Sequence, residues 1–380
     1  MKLYCPLLLT AIILLTSCGN KKTSATADFG EIFYKPEYAT GFDIKGSKDL
    51  QSVIITVRNP WQGADSVVTE LLIARNGESV PDGFDGQVLT DEARRIVAMS
   101  SSHIAMLDAI GETDRIVGVS GIDYITTSAI QARRDSISDV GYEGNVNYER
   151  LLSLDPDIVL LYGVNGASTM EGKLEELGIP YIYIGDYLEE SPLGKAEWSV
   201  VLSELTGRRN DGEIIFSEIP KRYNKLKATV DSLGATARPK VMLNAPYGDA
   251  WFMPPAGSYM VRLINDAGGD YLFQSEETTK SVPVDKETAY LMSSQADVWL
   301  NSGNFSSTEQ IGESLPQWAS LEVVKGHRVY NNTNRRTPAG GNDFFESGAM
   351  RPDEVLADLI KILHPGLLND STLTYYTRLK

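Results

Sequence analysis

Cysteine is nearly missing from this 380-residue chain: two are present, Cys5 and Cys18, both close to the N-terminus. The body therefore has no disulfide scaffold, no cysteine-based zinc cluster and no thiol nucleophile. Histidine is almost as scarce. His103, His327 and His364 are too scattered for an H-x-x-x-H metal site, and three histidines are too few for a zinc- or manganese-binding protein. Positive charge is in deficit, with 35 Lys and Arg against 51 Asp and Glu and a net charge of −16. With no basic block, nucleic acid is excluded as the main partner, because phosphate binding needs clustered Lys and Arg. The chain also lacks G-x-S-x-G, H-E-x-x-H and G-x-x-x-x-G-K-[ST]. No enzyme is expected, although the many carboxylates leave a glycosidase-like hydrolase as a competing class.

What is present is ample apolar material, 42% of residues, enough for two or three lobes at about 150 residues each. Met1 and Lys2 precede an apolar run from Leu3 to Leu15. That run is too short to span a bilayer, which takes about 20 residues, and suits the core of an export signal. It ends in Leu15-Thr16-Ser17-Cys18-Gly19, which resembles the lipobox of bacterial lipoproteins. The resemblance implies cleavage before Cys18 and lipidation of its thiol, so the protein is expected to be exported and anchored to the cell envelope through lipid alone. An ordinary secretory signal is the alternative. Residues 18–28 are polar and small, as in a flexible tether.

Residues 29–90 read as a β-rich appendage, with β-type runs at Gln51–Val57 and Ser66–Ala74 joined by a turn-rich segment through Pro60. From Arg95 short apolar runs alternate with helical stretches, the pattern of α/β lobes with mostly parallel sheets. Asp211 to Leu233 predicts one long helix, with Ile215, Ile219, Tyr223, Leu226 and Val230 on one face and Pro220 expected to kink or split it. The reading is an α/β fold: two three-layer α/β lobes at 91–207 and 235–366, joined by one long helix at 208–234, with an N-terminal β-rich appendage and a tail at 367–380. The lobes carry a faint repeat. Glu149 opens a short helix leading to Asp157 and a strand, and Glu287 does the same before Asp297. The two spacings differ by two residues, so the repeat is imperfect.

The stretches Arg95-Ile-Val-Ala-Met-Ser-Ser-Ser-His103, Arg115-Ile-Val-Gly-Val-Ser120, Leu154-Asp-Pro-Asp-Ile-Val-Leu160 and Gly207-Arg208, taken in order, resemble the substrate-binding proteins of ABC importers for ferric siderophores, haem and cobalamin. The resemblance covers about Arg95 to Leu363 and leaves residues 29–90 unexplained. It implies a monomer that holds its ligand between two lobes, with no cofactor of its own. The partners it implies are a permease dimer with its ATPase. By the same resemblance Glu149, and less securely Glu287, dock on permease arginines; each can otherwise simply favour its helix N-terminus.

Ligands of such sheets sit beyond the carboxyl ends of the strands. That nominates Ser101, Ser102, His103, Tyr124, Tyr162 and Tyr187 in the first lobe. In the second it nominates Tyr247, Trp251, Asn301, Arg335 and Arg336, with Trp251 expected as a buried aromatic anchor for the ligand. The arginine pair suits carboxylate, phosphate or catecholate groups, and the Gly340–Glu346 loop is left between a structural and a rim role. Within the family the expected ligand is an iron chelate, a ferric siderophore or haem, with cobalamin as the alternative. A surface capture lipoprotein without a permease is the alternative of another class.

Overall fold

The structure, a computed structural model, describes residues 29–164, 166–234, 238–275 and 280–380. The β-rich appendage is a five-stranded sheet. Strands β1 (Glu31–Tyr34), β2 (Phe42–Gly46), β3 (Val53–Arg58) and β4 (Val68–Ala74) pair antiparallel in sequence order, and β5 (Gln87–Thr90) joins β4 in parallel. One face carries Ile44, Val53, Ile55, Val57, Leu71 and Ile73 into the main core, so the sheet is a layer of the first lobe and not a separate body. Buried carboxylates on that lobe fasten the chain between β1 and β2. Glu197, 1% exposed, accepts hydrogen bonds from the Tyr34 hydroxyl and from the backbone N–H groups of Glu37, Tyr38 and Ala39 at 2.7–2.8 Å. Glu189 accepts from the backbone of Thr40 and Gly41 and from the Trp198 indole at 3.0 Å. Gly41 is required there, since a Cβ would lie 2.6 Å from the Trp198 ring.

The first lobe is built on strands β6 (Ile96–Ala98), β7 (Ile116–Val119), β8 (Ser138–Asp139), then β9 (Gly141–Tyr142) and β10 (Asn145–Val146) as a separate ribbon, followed by β11 (Ile158–Leu161) and β12 (Tyr181–Tyr183). Its five-stranded sheet runs β12-β11-β6-β7-β8, all parallel. Helices α1 (Ser101–Ala109), α2 (Ser128–Ala132), α3 (Tyr148–Ser153), α4 (Glu171–Leu177), α5 (Pro192–Glu197) and α6 (Ser199–Leu205) surround it. The connection is α7 (Arg209–Asp231), one helix with Pro220 buried inside it. The expected split at Pro220 does not occur; a proline gives up one backbone donor, and packing against both lobes holds the helix through it. Arg209 pairs with Glu204 of the first lobe at 3.0 Å, while Arg222 and Tyr223 bond Asp353 and Asp266 of the second at 2.6 and 2.8 Å.

The second lobe contains β13 (Lys240–Leu243), the hairpin β14 (Pro246–Tyr247) and β15 (Ala250–Met253), α8 (Tyr259–Asp266), β16 (Asp270–Tyr271), β17 (Val282–Asp285), α9 (Lys286–Ser293) and β18 (Val298–Leu300). There follow α10 (Thr308–Ser314), α11 (Glu322–Lys325), β19 (Val329–Asn331), α12 (Ser347–Met350), α13 (Pro352–Leu363) and β20 (Thr377–Arg378). The sheet order is β16-β13-β18-β19-β20, with only β20 antiparallel. Residues 367–380 are thus no free tail. Asp358 accepts from the N–H groups of Thr374, Tyr375 and Tyr376, and both tyrosines are 1% exposed. Buried aromatic area of that size docks a terminal segment firmly.

The faint repeat has a structural cause. Asp157 accepts from the N–H groups of Arg94 and Arg95, just before β6, and Asp297 accepts from the Lys240 N–H at the start of β13. Each aspartate therefore sets the register of a central strand against its neighbour. Among the described residues no helix is long and apolar enough to cross a membrane.

Candidate ligand-binding site

The carboxyl ends of the two sheets face each other. At the end of β6 the chain turns through Ser100 into α1, with the Ser100 and Ser102 hydroxyls 3.0 Å apart. At the end of β7, Ser120 leads into Gly121 at φ +67°, where Asp139 takes the Gly121 and Ile122 N–H groups at 3.1 and 3.0 Å. That turn holds up Tyr124, which is 46% exposed and meets Tyr142 edge-on. In the second lobe β18 ends at Asn301 (φ +55°) and Gly303 (φ +75°), and the buried Ser302 hydroxyl bonds Asn331. Beyond β19 the chain forms a hairpin loop through 335–343 that reaches across to the first lobe.

That loop makes one of the lobe-to-lobe contacts, beside the packing of α1 and α5 on α12 and α8. A Cβ on Gly341 would lie 1.9 Å from the Tyr124 carbonyl oxygen, so only glycine fits. Asp343 takes the Thr126 hydroxyl at 2.8 Å, and Glu346 takes the Thr126 and Thr127 N–H groups at 2.7 and 2.6 Å. Burial pushes the Glu346 carboxyl above the usual range, with the Thr126 and Thr127 donors working against that. On the far side Arg262 pairs with Glu190 at 2.6 Å.

Between these contacts lies a cavity of 430 Å³, bounded by Ser101, Ser120 and Tyr124 from the first lobe and by Asn304, Asn332, Arg336, Asn342 and Phe345, among others, from the second. None of its lining residues is Asp, Glu, His or Cys. The lining offers neutral hydrogen-bonding groups, two aromatic faces and one guanidinium. Such a surface suits a molecule that already satisfies most of the coordination of any metal it carries; it lacks the cluster of carboxylate, imidazole or thiolate donors that would hold a bare metal ion. A neighbouring groove of 470 Å³ runs between Asp123, Gln131 and Arg134 of one lobe and Arg335, Arg336 and Pro338 of the other.

Of the nominated residues, Ser101, Tyr124 and Arg336 line the cavity. Ser102 and His103 lie behind it, buried; His103 is 0% exposed and its Nε2 is 3.6 Å from Asp186 Oδ1, so the imidazole faces the lobe interior and not a ligand. Arg335 lines only the neighbouring groove and is paired with Asp343 at 3.1 Å. Tyr162 is half-buried at the end of β11, where burial and then the Glu143 charge raise its phenol. Tyr187 is exposed near Lys195, Tyr247 is exposed on the β14–β15 hairpin, and Asn301 is half-buried behind Gly303; none of the three lines the cavity. Trp251 is a correction. It is 0% exposed, packed between Trp299 (tilted, 5.5 Å) and Trp318 (stacked, 6.0 Å), and its indole donates to the Leu243 carbonyl. A side chain whose only polar atom is spent on the backbone inside a core cannot reach a ligand. The nominations left out Ser120, Asn332, Asn342 and Phe345. Ser120 had a readable signal, since Ser120-Gly121 ends a strand as Ser100-Ser101 does; the others depend on the lobe-to-lobe approach. Asn165 and Cys18 lie outside the described residues.

A family model described as periplasmic binding protein matches residues 96–335. The chain belongs to this family. It is 26% identical over 336 residues to an uncharacterized lipoprotein of Methanocaldococcus jannaschii, covering 81% of this chain and 77% of that protein. It is 24% identical over 285 residues to a cobalamin-binding protein of Halobacterium salinarum, 75% of this chain and 73% of that one. Among solved structures, a periplasmic haem-binding protein of Pseudomonas aeruginosa superposes with a TM-score of 0.57 at 18% identity, covering 76% of this chain and 98% of that one. The β-rich appendage precedes the region matched by the family model.

Proposed function

We propose that this periplasmic binding protein is an extracytoplasmic lipoprotein that captures a metal chelate in the interlobe cavity and delivers it to an ABC importer. The observation that carries the reading is the cavity lining: hydrogen-bonding and aromatic groups from both lobes, with no Asp, Glu, His or Cys among them. That suits a preformed chelate, and an iron chelate is the preferred ligand. Cobalamin is the second reading, favoured by the name of the Halobacterium relative. Anchoring through Cys18 rests on the lipobox and on the lipoprotein among the relatives. The protein acts without chemistry on its ligand.

Delivery is assigned to Glu149 and Glu287. Both are exposed, and each is the second residue of a helix capped by a side chain: Asn147 takes the Arg150 N–H and Asp285 takes the Thr288 N–H. Each has an exposed leucine on the next turn, Leu152 and Leu291 at 50% and 64%. A carboxylate beside an apolar side chain, presented once by each lobe, fits a two-subunit partner with an arginine on each subunit. The test has two parts. Protein purified from its own membranes should carry a chelate visible by absorption and mass spectrometry; turnover of a bound ligand would reject the reading. Changing both glutamates to Arg should abolish uptake in cells and leave ligand affinity intact. Normal uptake would remove the docking role.

A further inference from the structure

One hairpin separates the two spaces at the lobe boundary. Gly340, Gly341, Asn342 and Phe345 face the 430 Å³ cavity, whereas residues 335–339 face the 470 Å³ groove. Arg336 of the hairpin and Ile125 of the first lobe border both. The partition between the spaces is therefore the hairpin tip, residues 336–341, resting on Tyr124 and Ile125.

The bonds of this tip are its own. Thr337 N–H donates to the Gly341 carbonyl at 2.9 Å, Gly340 N–H to the Thr337 carbonyl at 3.0 Å, and Gly341 N–H to the Thr337 hydroxyl at 3.0 Å. Asp343 N–H closes the hairpin on the Arg335 carbonyl at 3.0 Å. Its feet stand on the second lobe. Asn334 donates to the carbonyls of Leu373, Thr374 and Tyr375, and Phe344 meets Tyr375 and Tyr376 edge-on. Toward the first lobe the base is tied by Asp343 and Glu346. Among the described residues, however, no hydrogen bond or ion pair joins 336–341 to that lobe. The tip is seated by contact alone, with Gly341 against the Tyr124 carbonyl. A body whose donors are satisfied internally can leave such a seat without stranding a polar group.

Size points the same way. Pockets for drug-sized ligands reach about 1,000 Å³, and haem, a ferric trihydroxamate and a corrinoid lie at or above the upper end of that range. The cavity alone offers less than half of it, and cavity and groove together approach it. We propose that the 336–341 tip is a removable partition: it rests on Tyr124 in the ligand-free protein and lifts when a large chelate is captured, so that the loaded site spans cavity and groove. The inference rests on the reading of the protein as a chelate binder, and adds to it the size of the ligand and the segment that moves for it. The base contacts of Asp343 and Glu346 stay closed, so the lobes do not part.

Gly341→Ala tests the seat, because its Cβ would lie 1.9 Å from the Tyr124 carbonyl oxygen and wedge the tip off. A tip that has to lift lowers apparent affinity by the fraction of molecules in which it is seated, so the wedge should raise affinity. A fixed wall behaves in the opposite way, since wedging it deforms the cavity and weakens binding. Haem, ferrichrome and cyanocobalamin are titrated by calorimetry against wild type and Gly341→Ala, with thermal unfolding checking that the variant folds. The wild-type complex with whichever probe binds is crystallised as well, which decides the matter if the variant does not fold. Gly341→Ala should bind that probe about three- to tenfold more tightly. In the crystal the probe should reach into both spaces, with 336–341 standing off Tyr124. Equal or weaker binding by folded Gly341→Ala would overturn the partition. So would a complex with the tip still on Tyr124 and the probe confined to the cavity; either result leaves the chelate-binding reading standing. Wild type that binds none of the three would reject that reading and the partition with it.

Discussion

Trp251 and Asp186 show how burial decides what a side chain is for. Trp251 was expected near a ligand because it follows the first strand of the second lobe. It is instead the centre of an indole stack that joins two sheets of that lobe. Trp251→Ala should cost about 3–5 kcal/mol of stability, the scale for removing a buried aromatic. Urea unfolding measures this, and an unchanged midpoint would contradict the packing role. Asp186 lies beneath the cavity, 4% exposed. Burial alone would raise its carboxyl; His103, Lys195 and Ser102 outweigh that and hold it below the usual aspartate range. A lowered carboxyl contributes stability that is full above its unfolded value of about 4 and is lost as pH falls through the folded value. Asp186→Asn should therefore be less stable than wild type at pH 7, with the gap narrowing only below about pH 4. Unfolding free energies measured from pH 7 to 3 check this; a gap constant over that range would remove the charge from the account.

Elements in this protein are set by carboxylates that accept backbone donors. The segment between β1 and β2 has no regular hydrogen-bond ladder from Glu37 to Ala39, and Glu197 takes its place. Glu197→Ala would strand three backbone N–H groups, at least one of them buried, at a cost of at least about 2 kcal/mol. Hydrogen exchange should show amides 37–39 opening well before the sheet cores; continued protection there would mean that water or other groups replace the carboxylate. The same device explains the repeat seen in the chain. Asp157 and Asp297 hold the starts of β6 and β13, and the helices before them begin at Asn147 and Asp285. The extra two residues in the second copy lengthen its helix from six residues to eight.

At the scale of the molecule, the lobes are bound through α7, the packing of α1 and α5 on α12, α8 and α13, the Glu190–Arg262 pair, and the 335–346 loop with its Gly341, Asp343 and Glu346 contacts. A 23-residue helix packed against both lobes is a stiff connection. Small-angle scattering with and without a bound chelate should give nearly superimposable curves. A large drop in radius of gyration on binding would show that these contacts open. The appendage stiffens the first lobe, whose core its inner face joins, and also braces α7, where Tyr38 meets Phe216 edge-on and Arg209 lies over Phe33.

Residues near one another in the chain were sufficient for much of this protein. The alternation of apolar runs and glycine stops marked the strands and helices of both lobes, and one apolar face in period with the helix marked α7, because these patterns are local. Scarcity of His and Cys excluded whole classes of site for the same reason. The α/β class and the family resemblance followed from short stretches in a set order. The cavity did not. Asn342 and Phe345 come from a loop that has meaning only where it crosses to Tyr124, and burial turned Trp251 and His103 inward. The difference between Arg335 and Arg336 depends on where one carboxylate, Asp343, falls in space. Charge pairing and exposure depend on residues distant in the chain, so only the tertiary structure could decide them.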